Sequence, residues 1–282
     1  METKLEELPE GCISEIISWT SPLDVCRSTI LAKLFKSAAD SNSVWERFLP
    51  LDYQDIISRS TTPSLFFLSK KDLYFSLCHH PILVDLGTKS FRLDRATGKK
   101  CYMVGARELS IAWQEEPHYW AWISDPNSRF EEVACLNTVF WFDIKGHIET
   151  RLLSPSTTYA AYLVFKFGPH TYGFGELFKS YVTIVGQMEL GTAPDQSHFK
   201  PVYFRPRISS RRRHRLPNVD QDQSRNQQLP RAREDGWKEI EMGDFTIPSD
   251  DDVGIVRMQI KEVEVLNCKS GIIIEGIEVR PK

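Results

Sequence analysis

Two pairs of adjacent carboxylates, Glu115-Glu116 and Glu131-Glu132, come closest to a catalytic pattern in this chain of 282 residues. Glycoside hydrolysis needs two carboxyl groups facing each other across one bond. Neighbours along an extended chain point to opposite faces, so neither pair converges on one bond. Glu131-Glu132 also follows the turn-forming Pro126-Asn127, and both pairs read as solvated charge. His79-His80 invite a metal reading. Adjacent histidines on a helix diverge by about 100°, and no cysteine or carboxylate cluster completes a site at zinc-binding spacing. Capping the carboxyl end of a helix suits them better. The chain has no nucleophile elbow, no glycine loop that would cradle a phosphate and no zinc-binding His/Glu signature. No catalytic residue, metal or cofactor is therefore expected, and the chemistry to look for is binding.

The richest binding chemistry lies in residues 109–122, where Trp113, Tyr119, Trp120 and Trp122 flank the polar loop Gln114-Glu115-Glu116-Pro117-His118. If 119–122 is extended, Trp120 and Trp122 share one face and Tyr119 takes the other. Trp113 and Trp120 stand at the two ends of the loop. They could present flat indoles at the rim of a β domain, suited to a sugar's C–H face, with loop polar groups bonding its hydroxyls. By spacing alone, core packing is the favoured reading for both. A second segment, 191–235, is poor in apolar residues and carries Arg211-Arg212-Arg213-His214-Arg215. That run fits a nuclear-localisation signal, a patch for an anionic partner, or a solvated charged insertion.

Positioning these residues falls to two kinds of element. The first fifty residues have helical spacing and capping signals. Pro9 opens a helix, and Ile13, Ile16 and Ile17 follow at i, i+3, i+4. Ser21-Pro22-Leu23-Asp24 and Ser43-Val44-Trp45-Glu46 each pair a serine with an acid three positions on. Pro50 closes the last helix. Residues 51–81 read as a linker, a polar connector followed by a helix that Ser69-Lys70-Lys71-Asp72 starts and Pro81 stops. From Ile82 onward many short alternating runs predict an antiparallel β-sandwich or jelly roll. Within it, 139–152 reads as a hairpin turning at Lys145-Gly146, and 159–167 as a central strand buried on both faces. The chain is thus expected to be α+β, with helices at 1–50, a linker at 51–81 and the sandwich at 82–282.

The N-terminal order of Leu8-Pro9, an isoleucine stripe, Ser-Pro-Leu-Asp-Val-Cys and a closing Val44-Trp45-Glu46-Arg47-Phe48-Leu49-Pro50 resembles an F-box. It is most similar to the F-box of plant F-box proteins of the phloem-protein-2 type. Glu116-Pro117-His118-Tyr119-Trp120 downstream of Ser110-Ile111-Ala112-Trp113 resembles the tobacco lectin (Nictaba) and phloem-protein-2 domain. Further matches are Phe140-Trp141-Phe142-Asp143-Ile144-Lys145-Gly146, Asp235-Gly236-Trp237 and Lys269-Ser270-Gly271-Ile272. The first resemblance implies docking to the Skp-family adaptor of an SCF ubiquitin ligase, and through it to cullin and RING subunits. Leu8, Pro9, Ile13, Ile16, Ile17, Pro22, Leu23, Val25 and Trp45 would divide between bundle core and adaptor contact. The second implies that Trp113 and Trp120 bind N-acetylglucosamine-containing glycans. The chain departs from the lectin between them, where Glu115-Glu116-Pro117-His118 puts an acid in the usual Asp/Asn place.

The joint implication is a non-catalytic substrate receptor that recruits target proteins, glycoproteins among them, for ubiquitination and proteasomal degradation. Two alternatives stand beside it. One is a nucleo-cytoplasmic lectin with a non-functional F-box, the other a ligase receptor whose sandwich binds protein rather than sugar. A formal net charge of −3 gives no reason to expect nucleic acid. No apolar run approaches the roughly 20 residues of a spanning helix, so no membrane partner is expected. The acidic N-terminus lacks a secretory pattern. The six scattered cysteines form no Cys-x-x-Cys pair, and none of the six asparagines lies in a glycosylation sequon. Cytoplasm and nucleus are the expected address.

Overall fold

The structure, a computed structural model, describes residues 8–186, 199–205, 229–249 and 254–282. The basic run 211–215, and most of the insertion expected at 191–235, lie outside them. The chain forms two compact units, one ending at Tyr102 and one running from Met103 to Arg280.

The first unit strings together α1 (Glu10–Ser18), α2 (Pro22–Ser28), α3 (Lys33–Ala39), α4 (Asn42–Phe48), α5 (Tyr53–Ser58) and α6 (Lys70–His79). A hairpin of β1 (Ile82–Val84) and β2 (Lys89–Leu93) follows. The caps at Ser21 and Ser69 form as their spacing predicts. Each serine oxygen accepts the backbone N–H three residues on, from Asp24 at 3.2 Å and Asp72 at 3.1 Å. The third differs. Helix α4 starts at Asn42 after Ser41, so Ser43 and Glu46 lie inside it. Leu49 is extended, as a residue before proline must be, and ends the helix.

The core of this unit is built on Trp45. Its indole N–H donates to Ala39 O at 2.6 Å, and its ring packs on Tyr74 at 5.2 Å and Phe75 at 5.0 Å. Burying an indole with its one donor satisfied secures a large apolar area without a desolvation penalty. The polar connector expected after Pro50 contains α5, because Tyr53, Ile56 and Ile57 fall on one buried stripe. The unit also extends past that linker through the hairpin. Tyr74 donates to the carbonyl of Arg95 beyond β2 (3.2 Å), and Arg59 pairs with Asp85 at 2.9 Å. His79 sits in the last turn of α6, its Nδ1 bonded to Phe75 O at 2.7 Å.

The chain passes between units along β3 (Lys100–Gly105). In the second unit one antiparallel sheet runs β3, β14 (Ser270–Pro281), β8 (Thr157–Tyr172), β12 (Lys238–Ile247), β11 (Arg231–Ala232). On β14 also lies β6 (Val133–Leu136), which pairs with β5 (Trp120–Ile123). The other sheet runs β10 (Lys200–Val202), β9 (Phe178–Gly186), β13 (Gly254–Glu262), β7 (Phe142–Glu149), β4 (Ser110–Ile111). The central strand read at 159–167 is β8, which lies between β14 and β12 and is buried from Tyr159 to Phe165.

The hairpin expected at 139–152 does not form. Strand β7 runs straight through Lys145-Gly146, because Gly146 is an inward position rather than a turn. A Cβ there would stand 2.9 Å from Leu109 and 3.0 Å from Ile277 of the facing sheet. The layers otherwise interlock through Phe142, Phe165, Phe174, Phe178 and Phe204, with centroids 4.8–6.4 Å apart. Edge-to-face geometry dominates that cluster, as ring quadrupoles prefer.

Candidate binding surfaces

In the helical unit the apolar stripe splits between core and surface. Ile13, Ile17, Pro22, Val25 and Trp45 are buried. Ile16 and Leu23 are each 45% exposed, Leu8 is half-buried and Pro9 is exposed. This division follows from the helix period, since Ile13 and Ile17 lie one turn apart on the inner face while Ile16 is turned outward. Up to residue 50, three further large apolar side chains are exposed that sequence spacing did not single out: Trp19, Ile30 and Leu31. Trp19 ends α1, and Ile30 and Leu31 form the turn between α2 and α3, outside any periodic run. The Trp19 ring is held in place in solvent. Its N–H donates to Glu15 Oε1 at 2.9 Å, and the Arg47 guanidinium lies 3.2 Å over the ring. Arg47 also pairs with Glu15 at 3.4 Å.

In the second unit, the loop 112–119 joins β4 to β5. Its ends are fixed by Trp120, whose indole N–H donates to Ala112 O at 3.0 Å. Trp120 is 3% exposed and packs on Phe142 at 6.3 Å. The expectation that both loop tryptophans are accessible is therefore corrected for Trp120. It occupies the inward position of β5, and its only polar atom is used by the loop's own backbone. Trp122, on the same face of β5, is half-buried beneath the Arg107 guanidinium at 3.7 Å.

Trp113 behaves oppositely. It is 57% exposed, and its backbone takes φ +68°. A bulky residue in the left-handed region is strained, and such strain persists only where the surroundings impose it. Here the turns do so: Trp113 O accepts from Glu116 N at 3.0 Å, and Glu116 O accepts from Tyr119 N at 2.9 Å. The Trp113 ring faces Tyr119 at 5.9 Å, also at the surface. Glu115 and Glu116 are exposed on the loop, consistent with solvated charge.

A family model described as phloem protein 2 matches residues 99–281. In Arabidopsis thaliana, F-box protein PP2-B10 is 44% identical over 282 residues, 98% of this chain and 93% of its own. F-box protein At2g02240 is 42% identical over 275 residues, covering 97% and 79%. F-box protein SKIP3 is 38% identical over 290 residues, covering 100% and 90%. The chain is a plant F-box protein of the phloem-protein-2 type. The phloem-protein-2 match takes in the strands from β3 to β14.

Two charge networks stiffen that domain. Glu239 and Glu278 share Arg233 and Arg280, with Arg233 at 2.8 Å from Glu239 and Arg280 at 2.5 Å. Burial opposes ionisation of Glu239, but the hydrogen bond and charge of Arg280, with Arg233 behind it, hold its carboxyl below the usual range. The second network is the fully buried Lys269, 2.5 Å from Glu262. Its ammonium donates to the carbonyls of Phe140 and Asn267, each at 3.1 Å, and to Asn267 Oδ1 at 2.9 Å. Sequence spacing gave no sign of this lysine's burial. Among the described residues no group of three His, Cys, Asp or Glu is placed to hold a metal ion.

Proposed function

We propose that this F-box protein is a substrate receptor of an SCF-type ubiquitin ligase. Its first helices dock the Skp-family adaptor, and its phloem-protein-2 domain recruits the target. The observation that carries the reading is that Ile16, Trp19, Leu23, Ile30 and Leu31 are exposed while Ile13, Ile17, Val25 and Trp45 fill the core. Apolar surface of this kind, on a unit too small to cover it, marks an interaction site. The family supplies the partner class. The protein itself makes no covalent chemistry. It holds a target beside a ubiquitin donor and raises its effective concentration. The reading assigns this work to the cytoplasm and nucleus, in keeping with six cysteines that are all free.

The test is affinity purification of the tagged full chain from plant cells with proteasome activity blocked, followed by mass spectrometry. Adaptor and cullin subunits are expected together with ubiquitinated proteins that vanish when Ile16→Asp and Leu23→Asp are introduced. Recovery of targets without any adaptor would overturn the ligase assignment and leave a recognition protein with an idle F-box.

A further inference from the structure

Four loops meet at one end of the phloem-protein-2 domain, and the strand register puts them there. Trp120 pairs with Leu136, Phe142 with Glu262, and Val139 with Lys269. The loops 112–119, 137–141, 173–177 and 263–269 therefore all leave their strands on the same side. They are also bound to one another. Ala112 N donates to Asp143 O at 2.9 Å, and Asn137 Nδ2 donates to Pro117 O at 2.9 Å. Val139 and Lys269 exchange backbone bonds at 2.9 and 2.7 Å. Gly173, at φ +83°, lies so close that a Cβ would stand 2.1 Å from the Cys268 carbonyl. Beneath them the buried Lys269 fixes the backbone at Phe140 and Asn267.

On this fixed base six large apolar side chains are exposed: Trp113, Tyr119, Phe140, Trp141, Val265 and Leu266. Trp113 is held out at the cost of a strained backbone. The charge of the same loops is of one sign. Glu115, Glu116, Glu176 and Glu264 are their carboxylates, and their one lysine or arginine, Lys269, is buried against Glu262. Glu264 is paired with Lys179, whereas Glu115, Glu116 and Glu176 form no ion pair among the described residues. The surface is thus apolar and preorganised, acidic at Glu115, Glu116 and Glu176, with Lys179 and Lys261 beside Glu264 at its other edge.

We infer that this end of the domain binds a positively charged polypeptide segment bearing large apolar side chains, and that such a segment is what the receptor recognises in its targets. Charge of one sign around an apolar centre selects the opposite sign in a partner and steers its approach. Aromatic anchors on a rigid backbone supply most of an interface's energy at low ordering cost. A neutral glycan would use the acids poorly, and only one of the two loop tryptophans is available to it. The inference rests on the receptor reading above, since it names that receptor's substrate class.

The experiment uses the purified full chain against an array of synthetic peptides graded in net charge and in aromatic content. Chitin oligosaccharides are titrated in parallel, and a plant Skp-family adaptor is bound to the same preparations. Positively charged peptides with aromatic or aliphatic side chains are expected to bind, and to bind more weakly as salt rises. Glu115→Lys with Glu116→Lys, and separately Phe140→Ser with Trp141→Ser, should each weaken that binding about tenfold or more while adaptor binding is unchanged. The charge reversal touches only exposed side chains, so it reads recognition even if the aromatic variant folds poorly. Peptide binding indifferent to charge, or untouched by the reversal, would overturn the inference. So would saturable chitin binding with no peptide bound. Loss of adaptor binding in the unsubstituted chain would instead strike the receptor reading, and the peptide titration would still stand on its own.

Discussion

Trp113 and Trp120 are seven positions apart at the two ends of one loop, yet truncating them should have opposite consequences. Trp120 is buried, and its N–H is the donor for Ala112 O. Replacing it by alanine opens a cavity against Phe142, and removal of a buried large aromatic costs about 3–5 kcal/mol. For a domain near 180 residues, each 1 kcal/mol moves the melting temperature by roughly 2–4 °C. Trp120→Ala should therefore melt about 6–20 °C lower. Trp113 has its ring mostly in water and its backbone at φ +68°. Glycine there releases roughly 1–2 kcal/mol of left-handed strain, set against about 0.5–1 kcal/mol of added chain entropy in the unfolded state. Trp113→Gly should sit within about 1 kcal/mol of the parent, and should be at least as stable as Trp113→Ala, which keeps the strain without the ring. Urea unfolding followed by fluorescence of the remaining tryptophans gives the comparison, provided the slope is unchanged between variants. If Trp113→Gly fell as far as Trp120→Ala, the Trp113 ring would be a core group and the strain argument would fail.

Two further outcomes follow from buried charge. Glu275 is buried, its Oε1 accepting from Arg129 N at 2.9 Å and from Ser128 Oγ at 3.2 Å, with Oε2 unpartnered. Burial raises its pKa against the opposing pull of Arg129, so its contribution to stability is present below the unfolded value and lost as pH rises through the folded one. Glu275→Gln keeps the accepting oxygen and should be more stable than the parent near pH 8, with the difference gone near pH 4. A gain equal at both pH values would contradict this. Lys269→Met strands Glu262 and removes the donor shared by Phe140 O and Asn267 O. It should cost about 3–5 kcal/mol in denaturant unfolding, and a loss below about 1 kcal/mol would show that solvent reaches this lysine.

How much of this was legible in the sequence depended on whether a local period carried the information. The helices at Glu10, Pro22 and Lys70, the central strand β8 and the split of the chain into helices then strands were readable from spacing and caps. The family was readable because the matching residues recur in order along almost the whole chain. Helix α5 was missed because its buried stripe of Tyr53, Ile56 and Ile57 is embedded in polar residues. The Lys145-Gly146 turn was misread because a glycine that admits a facing sheet looks like one that turns a hairpin. At the candidate site, periodicity could not say which tryptophan points inward. The burial of Trp120 depends on Phe142 and the Ala112 carbonyl, contacts set by the register of β4, β5 and β7. Ile30 and Leu31 escaped notice for a related reason, since exposure in a short turn has no period to betray it.

The central claim, that the helical unit docks the adaptor of a ubiquitin ligase, is tested most directly with purified components. The full chain and a plant Skp-family adaptor are titrated by calorimetry, alongside the variant Ile30→Ser with Leu31→Ser. Both positions are exposed, so the variant should keep the parent's melting temperature to within a few degrees. The account predicts saturable binding by the parent and a loss of about tenfold or more in the variant. Undiminished binding by a chain lacking residues 1–60, or no binding by the intact protein, would contradict it.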